Sequence, residues 1–279
     1  MNSADDGLFA LPMAGAAIMA ALLLGILFVC LRVYGRLAAR VIRGEGKVWS
    51  EPLGLPDLLV ILVLSGWMVM LSIAGFVQPK EPAPMSGQDV FNSAILFSII
   101  VGGLALFMQS RKIPVARLFG FGALPPLRTL GTAALLFAAA YPLVRLCTVA
   151  TAHLLGERAE SQQIVEFFVD AVTQANPWEV AAALFAGVIV APAAEEFLFR
   201  GYLYGVIRRY LGPVAAVLLS SALFAAIHVN LLSLPALFVL AICFALAYEA
   251  TGSLLVPMAM HALFNALNLA EIFLRATHS

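Results

Sequence analysis

Glu195-Glu196-Phe197-Leu198-Phe199-Arg200-Gly201 sets two adjacent carboxylates and an arginine at the end of the apolar run 181–194. An ionised group at mid-bilayer costs roughly 2.5–3.5 kcal/mol on the lowest scales. Three of them within six residues therefore require partners, a water-filled cavity or a chemical task. On a helix Glu196 and Arg200 are four apart and share a face, so they can pair. Glu195 is rotated by about 100° from Glu196 and has no partner within the stretch.

The rest of the chain gives this stretch its setting. Hydrophobic residues make up 62% of the 279, charged residues 11%, and the mean hydropathy is +0.98. That composition excludes a soluble globular domain and defines an all-α, polytopic transmembrane helical bundle. The net charge of zero gives no reason to expect a nucleic-acid partner; the bilayer is the expected partner. Cys30, Cys147 and Cys243 lie far apart in apolar segments, which reads as three buried thiols and neither a disulfide framework nor a metal site.

Working outward, hydropathy predicts about eight helices: 8–31, 58–78, 91–108, 129–155, a long one over 178–210, then 214–228, 234–250 and 253–274. This divides the chain into N-terminal transmembrane helices (1–155, about four spans), a polar amphipathic surface segment (156–177) and a helical core (178–275) that carries the polar motifs. Gly212-Pro213 and Thr251-Gly252-Ser253 mark turns between the late helices. The first span is flanked by Asp5 and Asp6 before it and by Arg32, Arg36, Arg40, Arg43 and Lys47 after it, the reverse of a cleavable secretory signal. Arg111, Lys112, Arg117, Arg128, Arg208 and Arg209 fall on the same side as that basic cluster. The opposite loops hold only Lys80 and Arg158. The positive-inside rule makes the basic side cytoplasmic.

His228 is the next intramembrane polar residue. Glu195 and His228 lie at similar distances, about 22–24 Å along helix, from a turn near 211–213. A hairpin would bring them level, and a carboxylate beside an imidazole is the minimum equipment for general-base activation of water. In the last span His261 and Asn265 are four apart and face the same way. Two donors aimed at one point can form an oxyanion hole. Other polar residues have simpler readings. Glu196 with Arg200 is a structural ion pair. Arg145 snorkels or pairs with an acid, Glu271 and Asn268 sit at the membrane interface, and Glu249 at the cytoplasmic end. Gly201 and Gly205 form a small-xxx-small pattern suited to close packing.

The ordered set Glu195-Glu196 with Arg200, Phe224 with His228, and His261 with Asn265 resembles the CPBP family of intramembrane proteases. That family includes type II CAAX prenyl endopeptidases and bacterial proteins linked to bacteriocin processing and self-immunity. The resemblance spans 178–270. It implies a glutamic endopeptidase whose active-site cavity is buried in the bundle, with no metal and no cofactor. Glu195 is then the general base acting with His228 on a water, His261 and Asn265 stabilise the oxyanion, and Glu196, Arg200 and Phe224 give structural support. The implied substrate is a membrane-associated peptide or protein, and the implied setting is a multi-pass protein of the bacterial inner membrane. Family analogy puts substrate access on the cytoplasmic side.

Two alternatives stay open. Glu195, His228 and His261 are acceptable zinc ligands, which would make a metal-dependent membrane protease, although no His-Glu-x-x-His is present. Intramembrane Glu and His also build proton relays, so a non-catalytic scaffold or a proton-coupled transporter is the other reading.

Overall fold

The computed structural model of the protein describes residues 13–77, 86–155, 163–174 and 176–278, and every regular element among them is helical. Lys80 and Arg158 lie outside the described residues, as do the start of the first expected span and residues 156–162 of the expected surface segment. Helix α1 is Met13–Ile42, α2 Leu55–Val77 and α3 Gly87–Ser110; α4 is one turn, Val115–Leu118; α5 is Pro126–Leu155 and α6 Gln163–Thr173. Then come α7 (Pro177–Phe185), a π-helical segment π1 (Ala186–Val190), α8 (Ala191–Glu196), a second one, π2 (Phe197–Leu203), and α9 (Tyr204–Ala226). Helices α10 (Leu234–Thr251) and α11 (Leu255–His278) complete the chain.

Among the described residues, seven helical stretches are long and apolar enough to cross a membrane. The expected count of about eight differs because Pro177–Ala226 is one helical stretch containing two arms. Gly212 breaks it with φ 84° and ψ 170°, a conformation glycine adopts without a Cβ penalty. The arms fold back on each other. Phe199, 13 residues before Gly212 (212 − 199), meets Phe224, 12 residues after it (224 − 212), edge to face at 5.2 Å. The depth match between the two arms follows from that hairpin.

The ends of the helices show why the spans begin and stop where they do. Ser86 and Asp89 form a reciprocal capping box at the start of α3. Asn176 caps α7 ahead of Pro177, whose missing N–H costs nothing at a first turn. Gly252, at φ 69°, closes α10. The first helix runs past the expected boundary at Leu31 and carries Arg32, Arg36 and Arg40 on its last turns.

Lipid supplies no hydrophobic force between helices, so close packing and polar contacts must hold the bundle. Gly201 and Gly205 do admit close neighbours, but these come from loops and turns. A Cβ at Gly205 would lie 2.9 Å from Leu53, and one at Gly201 would lie 3.2 Å from Phe119 and Leu254. The loops on the basic side interlock. The Lys47 N–H donates to the Glu249 carbonyl at 2.8 Å, and the Leu254 N–H to the Phe119 carbonyl at 2.9 Å. Asp57 is fully buried, paired with Arg111 and receiving the Tyr202 hydroxyl at 3.1 Å. Glu249, near the end of α10 on the basic side, is fully buried, and its Oε1 accepts from the Tyr204 hydroxyl (2.6 Å) and from Arg208. On the other side α6 places Phe167 and Phe168 against Val90, Ala183 and Leu269, so this amphipathic helix packs on the bundle.

Candidate active site

A cavity of about 530 Å³ lies among α3, α5, π1, α8, α9, α10 and α11, and Glu195, Phe224, His228, His261 and Asn265 all line it. Glu196 and Arg200 lie behind it. Each polar group is fixed by a local reason that can be read from the chain.

The Glu196–Arg200 pair is wholly buried, with Nη1 to Oε1 at 2.9 Å. Arg200 Nη2 also donates to the Ala241 carbonyl at 3.3 Å. The guanidinium lies over the Phe224 ring at 4.4 Å and near Phe244 at 5.3 Å. Aromatic faces attract a desolvated cation, worth about 2 kcal/mol or more when buried. Phe224 thus joins the arginine of one arm to the histidine of the other, since its ring is also 4.8 Å from that of His228.

His228 sits just beyond the end of α9 rather than within a helix. The backbone tightens there, with the His228 N–H reaching the Ala225 carbonyl at 3.4 Å. The Phe224 carbonyl then receives Nδ1–H of the His228 ring at 2.7 Å. A carbonyl can only accept, so Nδ1 carries the proton and Nε2 of the neutral ring is a base. Val229 follows at φ 47°, a strained value for a β-branched residue. Its side chain occupies the space left by Gly75 of α2, where a Cβ would come within 2.5 Å of Cγ1. Asn230 Oδ1 accepts the Ser233 N–H at 2.9 Å and leads the chain into α10.

His261 stands between the two carboxylates. Nδ1 bonds Glu196 Oε1 at 2.9 Å, and Nε2 is 3.9 Å from Glu195 Oε2. Glu195 Oε2 is buried and accepts no hydrogen bond from the described residues. Glu195 Oε2 is therefore the acid oxygen facing the cavity without a hydrogen bond, with His261 Nε2 at ion-pair distance, and Glu196 is the shared partner of a cation and an imidazole.

Asn265 is held by a feature the sequence did not announce. In π1 the Ala191 N–H reaches back five residues to the Ala186 carbonyl. The next donor in that register would be residue 192, which is proline and has none. The Gly187 carbonyl is left over and accepts Nδ2 of Asn265 at 2.7 Å. The amide keeps a second N–H on a residue that lines the cavity. Segments of π-helix recur at functional sites for this reason: they release backbone groups.

Two charged residues with simple sequence readings belong to the same cavity. Arg145 and Glu271 line it, 3.9 Å apart, and the Tyr141 hydroxyl donates to Glu271 at 2.8 Å. Glu271 and Asn268 thus line the cavity. The signal was present: Arg145 is 19 residues into α5 (145 − 126) and Glu271 is 16 into α11 (271 − 255), a depth match like that of Glu195 and His228. Among the described residues no group of three or more His, Cys, Asp or Glu side chains is arranged to hold a metal ion.

The fold and site define a multi-pass membrane protein with a carboxylate–imidazole cavity inside its helices. Residues 177–267 match the family model described as Type II CAAX prenyl endopeptidase Rce1-like, which agrees with the resemblance carried by the three motifs. No curated protein and no solved structure matches the chain. The family match points to a CAAX-type intramembrane protease, and hence to a membrane-associated protein substrate.

Proposed function

We propose that the protein is an intramembrane glutamic endopeptidase that hydrolyses a peptide bond with a water activated by Glu195 and His228. The observation that carries this reading is the buried Glu195 Oε2, which accepts no hydrogen bond, on a cavity that His228, His261 and Asn265 also line. A carboxylate oxygen without a protein donor is a place for water, and the Nε2 lone pair of His228 gives that water a second acceptor. Glu195 takes one water proton as the oxygen adds to the carbonyl carbon. The carbonyl oxygen becomes an oxyanion that Asn265 Nδ2–H and His261 Nε2–H stabilise. With Nδ1 donating to Glu196, His261 offers Nε2–H in its imidazolium form. When the tetrahedral adduct collapses, the C–N bond breaks and Glu195 returns its proton to the departing amine. No acyl-enzyme is formed. Glu196 and Arg200 hold the geometry from behind the cavity, and Phe224 supports it from the cavity wall.

The test is cleavage of a diverse library of membrane-associated peptides by the purified protein, followed by mass spectrometry. Wild type is expected to cut at defined sites. Glu195→Gln is expected to lose that cleavage while staying folded and inserted. A Gln variant that cuts at the wild-type rate would remove Glu195 from its role.

A further inference from the structure

Among the residues that line the cavity, Arg145 is the only arginine or lysine. It stands 19 residues (145 − 126) into the apolar helix α5, where a charge calls for a partner or a function. Its partner meets it loosely. Nη1 and Glu271 Oε2 are 3.9 Å apart, beyond hydrogen-bond length, and the two side chains are 45% and 33% exposed. An ion pair of that length at a partly exposed site contributes little. Glu271 is held by a different residue: its Oε1 accepts the Tyr141 hydroxyl at 2.8 Å. Tyr141 lies one turn before Arg145 on α5, with its ring 6.0 Å from the guanidinium carbon. The tyrosine thus fixes the acid, while the arginine donates no hydrogen bond to a described residue.

The arginines that brace the bundle are bound differently. Arg200 donates to Glu196 at 2.9 Å and to the Ala241 carbonyl at 3.3 Å. Arg208 donates to Glu249 and to the Ser50 hydroxyl at 3.3 Å. Arg145 keeps its five N–H donors for the cavity, in the planar fork that matches a carboxylate with two parallel hydrogen bonds. Its place relative to the chemistry follows from α11. Glu271, its neighbour, is six residues (271 − 265) beyond Asn265, or about 9 Å along the helix. An extended peptide advances about 3.3 Å per residue. A peptide lying along α11 with its scissile carbonyl at Asn265 would bring a group about three residues away level with Arg145.

We infer that Arg145 is a substrate-binding residue: it takes up a carboxylate of the peptide in exchange for Glu271, which Tyr141 holds to one side. This rests on the protease reading and gives its site a register. The incoming carboxylate can accept both prongs of the guanidinium, which Glu271 does not do while its Oε1 is tied to the Tyr141 hydroxyl. Near the reacting carbonyl an anionic group would instead meet Glu195, a like charge on the same wall. Attraction at one end and repulsion at the other admit the carboxylate at one place only. A free C-terminus or an Asp or Glu side chain supplies the same chemistry.

Binding tests this apart from catalysis, in the full chain carrying Glu195→Gln, so its failure is distinct from failure of the protease reading. The probes are fluorescent alanine-rich heptapeptides in three forms: a free C-terminal acid, a C-terminal amide with one internal Asp, and that amide with Asn in place of Asp. Anisotropy in detergent gives Kd for each. At least one acid form is expected to bind roughly 10–100-fold more tightly than the Asn amide, and the form that does so identifies the source of the carboxylate. Adding Arg145→Gln is expected to abolish that preference and leave Kd for the Asn amide unchanged, whereas Arg145→Lys, with charge but no fork, should keep part of it. Adding Glu271→Gln is expected to tighten binding of the acid form, because the internal competitor is gone; a merely structural ion pair predicts no such gain. Equal binding of all three probes, including no measurable binding of any, overturns the inference. So does a preference that survives Arg145→Gln, or acid binding that Glu271→Gln fails to tighten. Should Arg145→Gln not fold, the Arg145→Lys and Glu271→Gln arms still decide.

Discussion

Gly75→Ala should damage the active site from a helix that contributes no residue to the cavity. The new Cβ would stand 2.5 Å from Val229 Cγ1, 3.0 Å from Cγ2 and 3.3 Å from Cβ. Carbon atoms rest at about 3.5–4.0 Å, so the valine must retreat by up to an ångström. Val229 is already at φ 47° and is bonded directly to His228, so the imidazole moves with it. Overpacking of this kind costs about 1–3 kcal/mol in stability. A displacement near 1 Å in a catalytic group can cost on the order of 100-fold in rate. The assay is kcat and KM on a cleaved peptide, alongside thermal unfolding in detergent. The expected outcome is a fall in kcat of about 10–100-fold, approaching that cost, with KM little changed. Adding Val229→Ala should restore most of the rate, because the smaller side chain leaves room for the new methyl. Full activity of Gly75→Ala, or a double variant no better than the single, would refute the idea that Val229 positions His228.

Four further outcomes follow from the same geometry. Arg200→Met should destabilise the protein by about 3–5 kcal/mol, because Glu196 is left buried without its cation. Glu196→Gln combined with Arg200→Met should cost less than the sum of the two single changes in the same unfolding measurement. Asn265→Leu should lower kcat by about 100–1000-fold through the lost donor, and stability by about 1–3 kcal/mol because the Gly187 carbonyl loses its partner. Pro192→Ala supplies the missing N–H to that carbonyl. It should lower kcat with little loss of stability, since Asn265 is then released from its anchor.

The sequence makes the helices legible because lipid leaves the chain few options. A run of about 20 apolar residues must be a helix to satisfy its own backbone. The hairpin turn at Gly212 and the Glu196–Arg200 pair were legible for related reasons, since glycine-proline marks a break and residues four apart share a face. The π segments were not, because their formation depends on tertiary fit, and Pro192 is the sole local trace. The partner of Asn265 follows from π1 and was hidden with it. The placement of His228 outside α9 depends on Val229 filling the space at Gly75 of a distant helix, a contact that periodicity cannot reveal. The Arg145–Glu271 pair could have been found by matching depths along α5 and α11. Residues such as Asp57, which is met by Arg111 and Tyr202 from two other parts of the chain, had no comparable local signal.

The central claim is direct attack by a water held at Glu195, with neither metal nor acyl-enzyme. One measurement reaches it: product analysis of wild-type cleavage in the presence of a strong chelator and a high concentration of hydroxylamine. The account predicts an undiminished rate and only the free carboxylic acid at the new C-terminus. Loss of cleavage to the chelator would contradict it in favour of a metal-bound water, and a peptide hydroxamate would contradict it by revealing an acyl-enzyme.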